Sequence, residues 1–347
     1  MKRVLVIIVV IFLFIPLNVS CNEYEGVEKI LEMAGDLKDS YDPLGIDFNN
    51  IIAYIKDSFL FEFKNIFTKM PVLFLLLVLF SVKNCMDSES SINKTVSLAL
   101  FSAAALLSAG IISDLFSVAT QMITDLSAYI YVCIPILCGL VASGGLVITS
   151  AKATFIILSS MNIVTYLINI FFIPLVQIYF IFGVLSSLLE NDLLKALKSN
   201  IKSIIKISLP SLVAIFVALL SIFMNVTKKM DDFSLKSAKL AVGNMIPFLG
   251  SALADSTELV VNSIGQIKAY TGFASILAML YIFLIPMLKI ISGILAFKLL
   301  SVTAGFLTDK AMTTYYEDLS AVLSILCGLM ATITVMVIVS VVILMNL

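Results

Sequence analysis

The sequence predicts an all-α, polytopic transmembrane helix bundle, and three observations carry that expectation. Of 347 residues, 61% are hydrophobic and 13% charged, against about 45–50% and about 25% in soluble domains. Mean hydropathy is +1.11, more apolar surface than one water-soluble core absorbs. The apolar residues are gathered into long runs at 70–83, 96–113, 129–149, 153–189, 207–225, 272–300 and 319–346. About 20 such residues span a bilayer as a helix, and only helices or closed barrels satisfy their backbone there.

The runs are uneven. The first is short, and 153–189 is too long for one straight pass, so it either bends into two passes near Asn169–Pro174 or projects far beyond the bilayer. Residues 114–127 carry Asp114 and Asp125 without lysine and read as an outer loop, whereas 190–206 carries Lys195, Lys198, Lys202 and Lys206 and reads as a cytoplasmic one. The loop 226–239 is also lysine-rich, and its charge conflicts with that ordering. Lys152 and Lys298 sit near span ends, where a long stem lets the ammonium reach the interface.

The amino terminus begins with a basic Met1-Lys2-Arg3, an apolar Val4–Leu17 and then Asn18-Val19-Ser20-Cys21. This predicts a signal segment over 1–21, with lipid attachment at Cys21 as the alternative. Residues 22–69 follow as an acidic, extracytoplasmic amphipathic region. Two helices are expected there on or near the membrane surface, one around Val27, Ile30, Leu31 and Ala34, the other from Ile51 to Phe67. The polytopic region is then 70–347.

Several chemistries are disfavoured. The chain has no histidine, a single arginine at Arg3, and five cysteines without a C-x-x-C pair, so neither a zinc site nor a histidine base is expected. There is no Walker A loop and no dinucleotide fingerprint. With a net charge of −1, no basic patch suggests nucleic acid. The reading is a non-enzyme without cofactor or metal.

Shifted by 112 residues, Ile134-Pro135 falls on Ile246-Pro247 and Ile173-Pro174 on Ile285-Pro286. This predicts an internal repeat, 96–206 and 208–318, with helix breaks at Pro135 and Pro247 and the glycines Gly139, Gly144, Gly145 and Gly250 beside them. Repeats with broken helices are a common transporter plan. The densest intramembrane polar cluster follows Pro247 and Gly250. Asp255, Glu258, Asn262 and Gln266 recur at three- and four-residue spacing, with Lys268 just beyond. Such a stripe lines a cavity or meets a partner helix, or else is the wet side of an interfacial helix. Lys289, after Pro286, is expected to pair with Asp255 or Glu258, or to snorkel.

The run Ile246-Pro247-Phe248-Leu249-Gly250 through Asp255-Ser256-Thr257-Glu258, then Ile267-Lys268-Ala269-Tyr270-Thr271-Gly272, together with Ile285-Pro286 and the terminal apolar helix, resembles the stage III sporulation protein AE family. The resemblance covers nearly the whole chain. It implies a membrane subunit of a feeding-tube or secretion-like channel between mother cell and forespore, needed for forespore development after engulfment. The location implied is the mother-cell membrane surrounding the forespore. Implied partners are the other stage III A-group sporulation proteins, including a cytoplasmic ATPase and intermembrane ring proteins. It carries over no catalytic residue. An autonomous secondary transporter of a small molecule is the alternative reading.

Overall fold

The computed structural model describes residues 48–84, 91–189, 191–245 and 250–346, with the side chains of 48–54, 84, 91–94, 221–266, 268–270 and 273 outside the description. Among the described residues there are eight α-helices and no strand. They are α1 (Phe48–Thr68), α2 (Pro71–Asn84), α3 (Ser91–Ser143), α4 (Val147–Leu167), α5 (Ile173–Leu189), α6 (Asp192–Met245), α7 (Gly250–Leu307) and α8 (Lys310–Met345). Five stretches are long and apolar enough to cross a membrane: 95–143, 147–189, 192–220, 274–307 and 310–345. The α1–α2 pair, bent by 47°, makes a sixth when taken as one broken span. The signal segment and the run around Val27–Ala34 lie outside the described residues.

Helix α8 is the axis. It packs against α3, α4, α5, α6 and α7. Half of its most apolar window is buried within the bundle, against 22–33% for the other spans. Around it the apolar side chains left outside are large, among them Leu106, Phe155 and Ile207 at 71–76% exposure. Water would penalise that surface by about 25 cal/mol per Å², whereas lipid does not. At the amino-terminal end of α8, Tyr315 and Tyr316 are fully buried and stack with Phe101 of α3 and Phe297 of α7 at centroid distances of 5.1 and 6.4 Å.

Several expected breaks are continuous helix. Residues 114–127 belong to α3, not to a loop. Nothing there is a strong breaker, and the hydroxyls of Thr120, Thr124 and Ser127 turn back onto carbonyls one turn earlier, at 2.8–3.1 Å. Asp114 is held by Lys69 at 3.0 Å and Asp125 by Gln121 at 2.8 Å. Both 190–206 and 226–239 are likewise helical, within α6 apart from its first residues. Pro135 and Pro286 sit inside α3 and α7, as prolines in membrane helices can when neighbours re-satisfy the freed carbonyl.

Two interruptions are real. Helix α3 ends where Gly145 takes φ 95°. There Leu146 N–H donates to the Val141 carbonyl and Gly145 N–H to that of Ala142, the paired bonds of a Schellman stop. The long run 153–189 stays one pass, with a π-turn at Ile168–Phe172 just before Pro174. Proline offers no N–H to the carbonyl four residues back, and the widened turn takes up the misfit. With 43 residues over 147–189, this stretch is about 64 Å long at 1.5 Å per residue, so it extends past a core of about 30 Å.

The helix boundaries do not follow the 112-residue offset. Shifted by it, the turn at 144–146 lands on 256–258, inside α7. Helix α1 is amphipathic as expected, with a ladder of Phe59, Phe63 and Phe67 at 5.9 and 5.2 Å. It packs against α7 rather than standing apart on the membrane surface, and Ile66 and Met70 join the core.

Close packing is tested at Gly293 of α7. A Cβ there would sit 2.8 Å from Leu115 and 3.0 Å from Leu323, so Gly293→Leu overpacks the α3–α7–α8 contact. It is expected to cost about 1–3 kcal/mol, read as a lower melting temperature in detergent. Gly110→Ala, with nothing within 4 Å, is expected to cause no loss. Equal melting of wild type and Gly293→Leu would contradict this packing.

Candidate functional site

The side chains of the expected polar stripe lie outside the described residues. Pro247 falls between α6 and α7, and Gly250, Asp255, Glu258, Asn262, Gln266 and Lys268 belong to the first part of α7, described as backbone only. Lys289 is described, and its charge acts on Glu62 of α1; the side chains of Asp255 and Glu258, with which a pairing was expected, lie outside the described residues. Glu62 is 9% exposed, and its Oε2 has no hydrogen-bond partner among the described residues.

The polar site among the described side chains is near the start of α6 and the turn at 308–309. Lys198 of α6 donates to Asp318 of α8 at 2.6 Å, with the two side chains 14% and 12% exposed. Both helices begin at that end, which brings their first turns level. Gly183 of α5 allows the approach: a Cβ there would lie 3.4 Å from that of Asp318. The charge of Lys202 also bears on Asp318, as does that of neighbouring Glu317.

Beside this pair a cleft of about 760 Å³ opens between α6 and α7, with α8 as its floor. Lys202 and Lys206 stand on one wall and Lys298 on the other, with Glu317 on the floor. Lys198, Lys202 and Lys206 recur every four residues, which places them on one helix face. The remaining lining is mainly apolar, including Leu209, Pro210, Val302 and Ile325. Its hydroxyls are satisfied internally. Ser301 donates to Thr313, Ser320 to Ile294, Ser324 to Ser320 and Thr332 to Gly328, all to backbone carbonyls.

Sequence reasoning missed this site because it treated 190–206 as a loop and Asp318 as the edge of a span. The four-residue spacing of Lys198, Lys202 and Lys206 was the available signal. Lys298, expected only to snorkel, lines the cleft.

A bundle of long apolar helices around a central helix, pinned by a buried ion pair at one end, defines a multi-pass α-helical membrane protein. Residues 33–347 match the family model for stage III sporulation protein AE, and the chain belongs to that family. A stage III sporulation protein AE of Bacillus subtilis (strain 168) is 28% identical over 181 residues, 52% of this chain and 45% of that protein. The match thus spans less than half of that relative's length. No solved structure matches the chain. Family membership implies a role in sporulation and names no enzymatic activity.

Removing one member of a buried pair leaves the other charge uncompensated, at a cost of about 3–5 kcal/mol. Asp318→Ala and Lys198→Met are each expected to lower thermal stability in detergent by this order. The double variant is expected to lose much less than the sum of the two. Strictly additive losses in the double-mutant cycle would show that the two groups do not interact.

Proposed function

We propose that this chain is a membrane subunit of a sporulation channel, a feeding-tube or secretion-like complex between mother cell and forespore. It resides in the mother-cell membrane around the forespore and sustains forespore development after engulfment. The family match over 33–347 carries this reading, and the multi-pass bundle supports it. The working orientation puts the end bearing Lys195, Lys198, Lys202, Lys206 and Lys310 in the cytoplasm, in keeping with the lysine bias of cytoplasmic segments. A cytoplasmic ATPase of the stage III A group would meet the bundle at that end, and intermembrane ring proteins at the other. The chain's part is structural or conductive, with no bond made or broken by its own residues. The domain plan behind this reading is a signal segment over 1–21, an extracytoplasmic region over 22–69 and a polytopic region over 70–347.

Affinity purification of the tagged chain from sporulating cells in mild detergent tests the proposal. Co-recovery of the ATPase and ring proteins of the same group is expected. Recovery of the chain without them, in cells that contain them, would favour the autonomous transporter and contradict the subunit reading.

A further inference from the structure

The cleft between α6 and α7 combines two properties that single out a ligand class. Its charged members, Lys202, Lys206, Lys298 and Glu317, are all exposed, and their formal sum is +2. None of the three lysines is in an ion pair among the described residues, so the excess positive charge is available to an anion. Beyond these groups the cleft runs along α8 from Glu317 to Thr332, about 22 Å at 1.5 Å per residue. That is longer than one leaflet, half of a core of about 30 Å. Over this length the hydroxyls are already bonded to backbone carbonyls, so the wall offers few unmet polar groups. A sugar or a polar peptide would bury its own donors and acceptors there without partners, at a cost. A hydrocarbon chain would not.

We propose that this cleft is a binding site for an anionic diacyl phospholipid. The headgroup phosphate rests among Lys202, Lys206 and Lys298, and one acyl chain lies along α8 past Leu209 and Ile325. Basic pockets between membrane helices hold anionic headgroups by this combination of charge and apolar wall. The site has a structural consequence. Helices α6 and α7 both pack on α8, and a chain seated between them completes that layer from the lipid side. The proposal does not depend on the sporulation channel, because it follows from the cleft's charge and lining alone.

The chain has no tryptophan, so Val302→Trp at the cleft, 59% exposed, gives a single fluorescent reporter in the purified full-length protein. Brominated-chain phosphatidylglycerol is expected to quench it at concentrations at least about tenfold below brominated phosphatidylcholine, since each lysine near an anionic surface contributes to binding. Replacing Lys202, Lys206 and Lys298 together by glutamine is expected to abolish that preference. The same change at the exposed Lys56, Lys64 and Lys310 is expected to leave it intact. Gly328→Leu provides a second route. Gly328 lines the cleft and a Cβ there meets nothing within 4 Å, so a leucine side chain occupies space the acyl chain would take, and quenching by both lipids is expected to weaken while the melting temperature in detergent stays at the wild-type value. Equal quenching by the two lipids would overturn the proposal, as would a preference that survives the triple substitution. Displacement of the lipid by millimolar inorganic phosphate would overturn it too, by assigning the site to a soluble anion.

Discussion

A backbone amide in hydrocarbon has no water to fall back on, so each must find its partner within its own helix. That constraint explains why this chain stays helical through stretches that would break in water. Pro135, Pro210 and Pro286 all lie inside helices. The misfit ahead of Pro174 is absorbed by a π-turn rather than a loop. The turn between long spans at 144–146 leaves the helix through a glycine at positive φ. Serine and threonine follow the same logic, since most described hydroxyls donate to a carbonyl one turn back in their own helix.

The second organising element is α8. Its flanks meet five other helices, and buried charge joins it to one of them. Lys198 ties α6 to α8 inside the bundle, and on its surface Lys69 ties the α1–α2 bend to α3. Burying charge is costly, and replacing such pairs with apolar residues is often neutral for stability. The buried Lys198–Asp318 pair joins two helices that are not neighbours in sequence, which fits a role in fixing which helices pair, as a single buried polar residue does in coiled coils. The cleft sits where that lattice is open, between two helices that share α8.

Much of this architecture was legible in the residues. Composition and apolar runs gave the fold class, and the run at 319–346 coincides with the lower part of α8. Boundaries were not legible where polarity and helix end are different things. The stretch from Asp114 to Ser127 looks like a loop by charge, yet its polar groups are satisfied by neighbours and by its own backbone. The Pro135 and Pro247 pairing suggested a repeat because it counted dipeptides, whereas the observed helix ends follow glycine at Gly145. The polar stripe from Asp255 to Gln266 drew attention through density. Lys198 and Asp318 are 120 residues apart, and only folding α6 against α8 makes them one site. No local pattern could have joined them.

If each long stretch crosses once, the turn at 144–146 lies on the opposite side of the membrane from the junction of α5 and α6. Single cysteines at Gly144 and Asn191, introduced after the five native cysteines are replaced, test this with a membrane-impermeant maleimide. In non-sporulating cells that express the chain in their cell membrane, the two positions are predicted to label from opposite sides, Gly144→Cys in intact cells and Asn191→Cys only after the membrane is opened. Labelling of both from the same side would mean that 147–189 crosses twice or not at all, and would contradict the bundle described.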